Sequence, residues 1–165
     1  MERPVSSACF GACDPKILAA ATGAFGEEEE APQVAGSLRL RTAVAPGEAG
    51  SDAPAVLRAV EGDFLDLTTG AAAALGLPKF DAAFDRGSLV AVAPSDRAAY
   101  AATLTGLMAA AGRVLLVTVE HDAFSDGRLG PPYGVSGEEV RQRVGGAFEG
   151  RRLPREDRVE AGPTR

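Results

Sequence analysis

The sequence has little of what metal sites and nucleophile sites are built from. It contains one histidine, His121, and two cysteines, Cys9 and Cys13. A structural zinc site uses two pairs of Cys or His ligands, and no second pair exists here. The single histidine also belongs to no recognisable catalytic triad. We expect both cysteines to be free or buried thiols, because a disulfide implies an oxidising compartment that no other feature indicates.

The chain also lacks tryptophan and has few other aromatic residues, with seven Phe and two Tyr. Much of its apolar content is alanine, accompanied by 20 glycines. At 165 residues it has the length of one ordinary domain, which buries roughly two thirds of its unfolded surface. The composition therefore predicts one domain whose core contains few aromatic side chains.

An excess of basic residues is absent, since 23 acidic residues outnumber 17 basic ones and the formal net charge is −6. Nucleic-acid binding needs a basic face, so nucleic acid is not expected as a partner. The basic cluster near the C-terminus is interleaved with acidic residues and predicts a solvated surface of mixed charge. Its members are Arg151, Arg152, Arg155 and Arg158. The acidic run at residues 27–30 is likewise interpreted as solvated, not as a metal site.

Long apolar runs are absent too. No run reaches the ~18 residues that a membrane-spanning helix needs. The N-terminus has no long apolar stretch of the kind that secretory signals contain. We therefore expect a cytoplasmic protein that acts on a small molecule and has no membrane partner. The sequence indicates nothing about the oligomeric state.

The patterning divides the chain into three segments. Residues 1–35 are poorly patterned, residues 36–150 form an α/β core, and residues 151–165 are a polar tail. In the first segment, small residues at 6–13 predict a strand. Asp14 and Pro15 then predict the start of a helix, as N-cap residue and first helical residue.

Strands and helices alternate within the core. Period-two alternation at 38–44 and an apolar run at 55–60 predict a β-hairpin with a long loop, and an Ala-rich helical turn follows. A strand at 80–85 precedes a helix with Ser95 as its N-cap residue, and Gly112 marks the end of that helical region. The apolar face of this helix consists of Tyr100, Leu104, Leu107 and Met108. Residues 113–119 predict a strand buried on both faces of a parallel sheet.

The strand–helix–strand order from residue 80 to residue 119 predicts a right-handed βαβ unit. Beyond it, Ser136 and Glu139 predict a capping box for a last helix, and Val135 and Val140 a hydrophobic staple. Open α/β sheets bind ligands beyond the carboxyl ends of their strands. The charged residues directly after the strand at 80–85 are therefore candidates for a ligand site.

Several sequence blocks, taken in order, resemble the thiopurine S-methyltransferase family. The most specific is FDAAFDRGSLVA at residues 80–91, and the others lie at 62–67, 96–101, 115–120 and 130–136. Together they cover roughly residues 55–144. The resemblance implies an α/β fold of the Rossmann-like class I methyltransferase type, with S-adenosylmethionine as the cofactor.

The resemblance implies a cofactor-binding role for Asp63 and Phe64. The Asp63 carboxylate would accept a hydrogen bond from the exocyclic amine of adenine. Phe64 would offer its backbone N–H and an apolar wall for the base. The alternative is that Asp63 caps the following turn and Phe64 belongs to the core.

The resemblance also places Arg86 beside both the cofactor and the substrate. Its guanidinium could bind an anionic acceptor or stabilise a thiolate with directed hydrogen bonds, and Gly87 allows a tight backbone path there. The alternative for Arg86 is a surface ion pair with Asp81 or Asp85.

The loop at residues 130–135 borders the active site in the family, and two prolines stiffen it. Tyr133 either lines the acceptor pocket or fastens this loop to the core. His121, just past the strand at 113–119, is interpreted as a solvated or structural residue.

The implied reaction is methyl transfer from S-adenosylmethionine to a thiol or a related soft nucleophile. It needs no metal and no covalent nucleophile, so no catalytic residue is assigned. Rate enhancement would come from placing the acceptor in line with the methyl group in a dry pocket. A methyltransferase with another kind of acceptor shares the same residues and is a further possibility.

Part of the family pattern is missing from the sequence. No Trp-rich lid and no first strand with a glycine loop precede the core, and we interpret residues 6–14 as the second strand. Asp14 is then a candidate for the acid that binds the ribose hydroxyls. Without the central first strand, backbone groups stay unpaired unless the sheet closes up or gains a partner. We therefore expect a truncated chain that binds S-adenosylmethionine poorly. The alternative function is a non-catalytic remnant that acts at most as an interaction module.

Overall fold

The computed structural model describes residues 7–10, 33–45 and 55–154, with side chains at 33–42 and 58–154. Six strands are present in this part, namely β1 (Ser7–Phe10), β2 (Gln33–Ala35), β3 (Leu38–Ala45), β4 (Ala55–Glu61), β5 (Phe80–Arg86) and β6 (Met108–Val117). The α-helices are α1 (Thr69–Ala74), α2 (Arg97–Leu107) and α3 (Gly137–Val144). Two short 3-10 helices, Phe64–Asp66 and Leu89–Ala91, complete the described elements. The fold is mixed α/β, as predicted.

Strands β1, β5 and β6 form a parallel sheet in the order β1-β5-β6. Helix α2 connects β5 to β6, so the predicted βαβ unit with parallel strands is confirmed. β1 pairs directly with β5, with Cys9 opposite Phe84. The backbone of β5 therefore has a parallel partner on each side near its carboxyl end. The predicted helix after Asp14 lies outside the described residues.

A second sheet is an antiparallel meander of β2, β3 and β4. The hairpin of β3 and β4 was predicted, and Leu40 lies opposite Val60 in it. Leu38 and Leu40 are buried while Arg39 between them is exposed, as the period-two pattern requires. The short strand β2 was not predicted, because its three residues carry no readable alternation.

Helix α2 has the predicted apolar face, and Tyr100, Leu104 and Leu107 are all buried. The prediction of Ser95 as its N-cap residue was wrong. Asp96 occupies the cap position, and no side chain makes a cap hydrogen bond there. The helix therefore depends on tertiary packing and not on a capping side chain at its start.

Gly112 was wrongly predicted to end the helical region. The helix ends at Leu107, and Gly112 lies within β6, which already begins at Met108. A Cβ atom at position 112 would lie 3.0 Å from the carbonyl oxygen of Phe80 and 2.9 Å from that of Ala109. The glycine is thus required by close backbone approach to the neighbouring strand.

Two clusters of buried side chains form the core. The first lies between α2 and the parallel sheet and contains Ala83, Leu89, Val90, Tyr100, Leu104, Met108 and Val135. The second joins the meander to α1 and α2 and contains Leu38, Leu40, Leu67, Ala72, Leu75 and Leu107. Phe64 and Phe80 pack against both clusters and thereby connect the two sheets.

The prediction that the strand after α2 is buried on both faces was wrong. Along β6, Val114 and Leu116 pack towards the first cluster, whereas Leu115 is 47% and Val117 41% exposed. Phe84, opposite Leu115 in β5, is 39% exposed. These three residues form an exposed apolar strip on the far side of the sheet from α2. The uninterrupted apolar run in the sequence therefore does not report burial on both faces.

Helix α3 begins with the predicted Ser136 cap, whose hydroxyl oxygen accepts the backbone N–H of Glu139 at 3.1 Å. The second half of the predicted capping box is replaced, because the Glu139 carboxylate binds Arg97 instead. Val135 and Val140 both pack in the first cluster, as expected of a hydrophobic staple. Within the described ranges, no helix has the length and apolar content to cross a membrane.

Candidate functional site

Arg86 and the loop that carries Tyr133 lie at one edge of the parallel sheet, whereas Asp63 and Phe64 follow β4 of the antiparallel sheet. β5 ends at Arg86 and β6 at Val117, and these two residues lie opposite each other. The first turn of α2 begins near the same edge, since α2 runs back from the carboxyl end of β5 to the start of β6. The loop at 130–135 is bound there as well, because Val135 N–H donates to the carbonyl of Val119. This is the edge at which open α/β sheets bind ligands.

Asp85 is the most deeply buried charged side chain of the described residues, with 0% exposure. Its Oδ2 accepts the hydroxyl of Tyr100 at 2.7 Å. Its Oδ1 accepts the backbone N–H groups of Ser88 and Leu89 at 3.2 and 3.4 Å. Three donors thus satisfy the buried carboxylate, and they tie the loop after β5 to α2.

Tyr100 connects this carboxylate to the residues that follow β4. Its ring contacts that of Phe64, with centroids 4.7 Å apart. Burial, followed by the hydrogen bond and the negative charge of Asp85, raises the pKa of Tyr100 far above its ordinary value. The hydroxyl therefore remains a hydrogen-bond donor throughout the neutral pH range.

Asp63 stands at the start of the short helix Phe64–Asp66, and its Oδ1 accepts the backbone N–H of Leu65 at 2.9 Å. Asp63 therefore caps the turn that follows it, as the alternative prediction stated. Phe64 packs in the core, which was the second part of that alternative. Asp63 is nevertheless exposed. An ionised carboxylate has several lone pairs, so one intramolecular hydrogen bond leaves it able to accept another.

Arg86 is exposed at the end of β5. It forms no ion pair with Asp85, because the Asp85 carboxylate faces Tyr100 on the opposite side of the strand. Gly87 follows with φ of +94°, a value that side-chain-bearing residues rarely adopt. The glycine turns the chain directly after Arg86, whose side chain lies on the same face of the sheet as that of Phe84.

Tyr133 is half-buried, and its backbone N–H donates to the carbonyl of Val90 at 2.6 Å. Its ring lies against the backbone of Gly130, where a Cβ atom would be 2.5 Å from the ring. The guanidinium of Arg97 lies 5.8 Å from the ring centroid on the other side. Tyr133 therefore both fastens its loop to the segment after β5 and lines a shallow cavity of about 190 Å³ beside Arg97 and Leu129.

Arg97 was not singled out from the sequence as a site residue, yet it is only 3% exposed. Its Nη1 donates to Glu139 Oε2 at 2.7 Å, and its Nε donates to the carbonyl of Val92 at 3.3 Å. Nη2 is buried without a hydrogen-bond partner in the described part of the chain. The position of Arg97 in the sequence could have indicated this role. A cation in the first turn of a helix is disfavoured by the helix dipole, so its presence there suggests that another interaction holds it.

His121 lies in the exposed segment after β6 and serves the loop at 130–133. Its Nδ1 is 2.6 Å from the carbonyl oxygen of Asp122, and its Nε2 is 2.8 Å from that of Pro132. These contacts agree with a structural histidine. Over the described ranges, no group of three or more His, Cys, Asp or Glu side chains is arranged to hold a metal ion.

The structure links Phe64 to the Asp85 loop through Tyr100, and it ties Tyr133 to the same loop at Val90. Asp63 and Arg86 are both exposed. Asp14, the candidate for binding ribose, lies outside the described residues.

The sequence model of the family described as Thiopurine S-methyltransferase (TPMT) matches residues 51–165. This region is well over half of the chain and includes all of the residues just described. The chain belongs to the thiopurine S-methyltransferase family.

Individual members of the thiopurine S-methyltransferase family align with shorter parts of the chain. The enzyme of that name from Oryctolagus cuniculus is 39% identical over 67 residues, which are 41% of this chain and 26% of the relative. That from Pseudomonas fluorescens is 36% identical over 89 residues, 53% of this chain and 36% of the relative. That from Nitrosospira multiformis is 35% identical over 102 residues, 62% of this chain and 43% of the relative. The chain thus spans less than half the length of these relatives.

Proposed function

We propose that this chain acts as an S-adenosylmethionine-dependent methyltransferase with a Rossmann-like fold, which methylates a thiol or a related soft nucleophile. The observation that carries the proposal is the set of contacts at the loop after β5, where Tyr100 joins Phe64 to Asp85 and Tyr133 binds the same loop at Val90. Family membership supports the reaction type. The name of these relatives, thiopurine S-methyltransferase, supports a sulfur atom as the acceptor.

Asp63 and Phe64, which follow β4, fit the adenosine part of the cofactor. Asp63 presents an exposed carboxylate beside the partly buried ring of Phe64. A carboxylate next to an apolar wall suits an adenine, whose exocyclic amine donates a hydrogen bond and whose faces are apolar. When bound, S-adenosylmethionine supplies an activated methyl group on a sulfonium. The role of Asp63 and Phe64 is to hold and orient the adenosine end of that group.

Arg86 and Tyr133 would act on the acceptor. A guanidinium at the end of β5 stabilises a thiolate electrostatically and directs it by hydrogen bonds. The Tyr133 ring, fastened at Val90 and beside Arg97, offers a fixed wall. A thiolate is already a good nucleophile, so placement in a site without water is the main requirement. No side chain is assigned the role of general base.

Calorimetric titration of the purified protein with S-adenosylhomocysteine tests the cofactor half of this proposal. We expect weak but measurable binding, and we expect Asp63→Asn to weaken it further by about tenfold or more, because a hydrogen bond to a charged group contributes about 1.5–3 kcal/mol. Glu138→Gln is the matched control, since Glu138 is an exposed acid on α3. No binding by folded wild-type protein contradicts the proposal.

Turnover measurements test the acceptor half. We expect methylation of a thiopurine, an aromatic thiol or hydrosulfide, and no comparable methylation of phenol or aniline. Arg86→Lys should lower kcat/KM for the thiol by about tenfold or more, because an ammonium cannot reproduce the guanidinium fork. Arg113→Lys, at an exposed position farther down β6, is the control. Preferential methylation of the oxygen or nitrogen acceptor would show that the reaction type is right and the acceptor class wrong.

A further inference from the structure

We propose that Tyr100 is a positioning residue that holds Arg86 in place through the buried carboxylate of Asp85. The inference rests on the proposed function, because the group being positioned is the one assigned to the methyl acceptor. It adds a role for Tyr100, which sequence reasoning assigned to core packing, and for Asp85, which was named only as an alternative ion-pair partner of Arg86.

The first step of the argument is the turn that contains Arg86. Asp85 Oδ1 accepts the backbone N–H groups of Ser88 and Leu89, so the carboxylate closes the turn across Arg86 and Gly87. Gly87 has φ of +94° and no atom within 4 Å of a Cβ built on it. Arg86 pairs with Val117 at the last position of the ladder. Beyond it, the Asp85 carboxylate is the side chain that bonds the turn, so the path of the chain after Arg86 depends on that carboxylate.

The second step is the orientation of the Asp85 carboxylate. A carboxylate rotates about its terminal bond over a broad range unless a partner holds it. The hydroxyl of Tyr100 donates to Oδ2 at 2.7 Å, a short distance typical of an O–H donor to a carboxylate. Tyr100 thereby presents Oδ1 to the N–H groups of Ser88 and Leu89.

The third step is the rigidity of Tyr100. The residue is 2% exposed, lies in the middle of α2 and packs against the ring of Phe64. Burial and Asp85 keep its hydroxyl protonated by raising its pKa. Because Tyr100 stands on a rigid helix, its hydrogen bond can hold the exposed turn in one position. A loop that is supported in this way can place a site residue precisely.

Tyr100→Phe separates the hydroxyl from the ring, because it keeps the contact with Phe64 and removes only the donor. Thr105→Val is the matched control. It removes another hydroxyl from α2, which donates to the carbonyl of Ala101 and has no contact with the turn. Asp85→Asn is the second variant, since it keeps the side-chain shape but weakens the acceptor for all three donors.

Amide hydrogen exchange in the absence of any ligand gives a readout that does not depend on activity. We expect Tyr100→Phe to accelerate exchange at Ser88 and Leu89 by about tenfold or more while leaving the amides of β6 unchanged. We expect Asp85→Asn to act on the same two amides, and Thr105→Val to leave them unchanged. Unchanged exchange at Ser88 and Leu89 in Tyr100→Phe would overturn the proposal.

Kinetics of thiol methylation give the second readout. We expect Tyr100→Phe to lower kcat/KM for the thiol by about ten- to a hundredfold, because small misplacements have effects of that size. The KM for S-adenosylmethionine should not change. In an Arg86→Ala background, Tyr100→Phe should cause no further loss, since the group that it positions is gone. The same fold loss in both backgrounds would indicate a purely structural role and overturn the proposal.

The two readouts separate this inference from the proposed function. A wild-type protein that neither binds S-adenosylhomocysteine nor methylates a thiol overturns both the function and the acceptor-directed role. Slower turnover in Tyr100→Phe without faster exchange at Ser88 and Leu89 overturns the positioning role alone and leaves the function in place.

Discussion

Arg97 and Glu139, 42 positions apart in the sequence, form an ion pair that joins the first turns of two helices. Nη1 of Arg97 donates to Oε2 of Glu139 at 2.7 Å. The arginine side chain is 3% exposed and the glutamate side chain 24% exposed. Arg97 also bonds the carbonyl of Val92 and lies over the ring of Tyr133. One buried guanidinium therefore holds together α2, α3, the segment after β5 and the loop at 130–133.

Neutralising one partner of this pair should destabilise the fold. We expect Glu139→Gln to lower the free energy of unfolding by about 2–3 kcal/mol, because it leaves a nearly buried guanidinium without its counter-ion. Urea denaturation measures the change. Glu138→Gln, one position away and paired with Arg141 at the surface, should have almost no effect. Equal effects of the two substitutions would contradict the distinction between a buried and a surface pair.

Two serines that precede helices should respond differently to the same substitution. Ser136 accepts the backbone N–H of Glu139, whereas Ser95 precedes the cap position of α2, where no side-chain cap bond is made. We expect Ser136→Ala to lower the free energy of unfolding by about 1 kcal/mol and Ser95→Ala to change it little. Denaturation of the two variants under identical conditions decides the matter. A loss with Ser95→Ala as large as with Ser136→Ala is not compatible with the observed cap geometry.

The raised pKa of Tyr100 makes stability depend on alkaline pH. The ordinary tyrosine value is 10.0, and the folded protein holds the proton above that value. Below about pH 10 both states are protonated and the contribution is fully present. Above it the unfolded state loses its proton first, so the free energy of unfolding falls with rising pH.

The expected slope from this residue is about 1.4 kcal/mol per pH unit above about pH 10. Urea denaturation at a series of pH values measures it in wild type and in Tyr100→Phe. The wild type should show the additional fall, and the variant should lack it. Parallel curves for the two proteins would mean that Tyr100 ionises equally in the folded and the unfolded state.

Much of the fold could be predicted because the spacing of apolar residues in a segment indicated its secondary structure and its buried face. The alternation around Leu40 predicted β3, and the spacing of Tyr100, Leu104 and Leu107 predicted the buried face of α2. Predictions failed where a tertiary contact decided the outcome. Gly112 was interpreted by its helix propensity, but its position is set by the approach of β6 to the carbonyl of Phe80. The run after α2 was interpreted as doubly buried, but Leu115 is exposed.

The candidate site could be predicted only in part, for the same physical reason. A charged loop after β5 follows from the sequence order, so Arg86 was named as a candidate. The hydrogen-bond partner of Asp85 lies on another element, so local sequence spacing does not predict it. Tyr100 was therefore assigned only to core packing. Arg97 was missed because its counter-ion Glu139 was expected to complete a capping box within its own helix. Sequence spacing predicts which side chains can meet within an element, not which meet between elements.

The exposed strip of Phe84, Leu115 and Val117 has a practical consequence for work with the purified protein. An exposed apolar patch promotes association between molecules, and this association increases with protein concentration even when every molecule is folded. The tendency of the folded protein to self-associate is therefore separate from its free energy of unfolding. Leu115 lies opposite Phe84, while Val117 lies opposite Arg86. A polar substitution at Leu115 therefore changes the strip without replacing a proposed acceptor residue or its partner in the ladder.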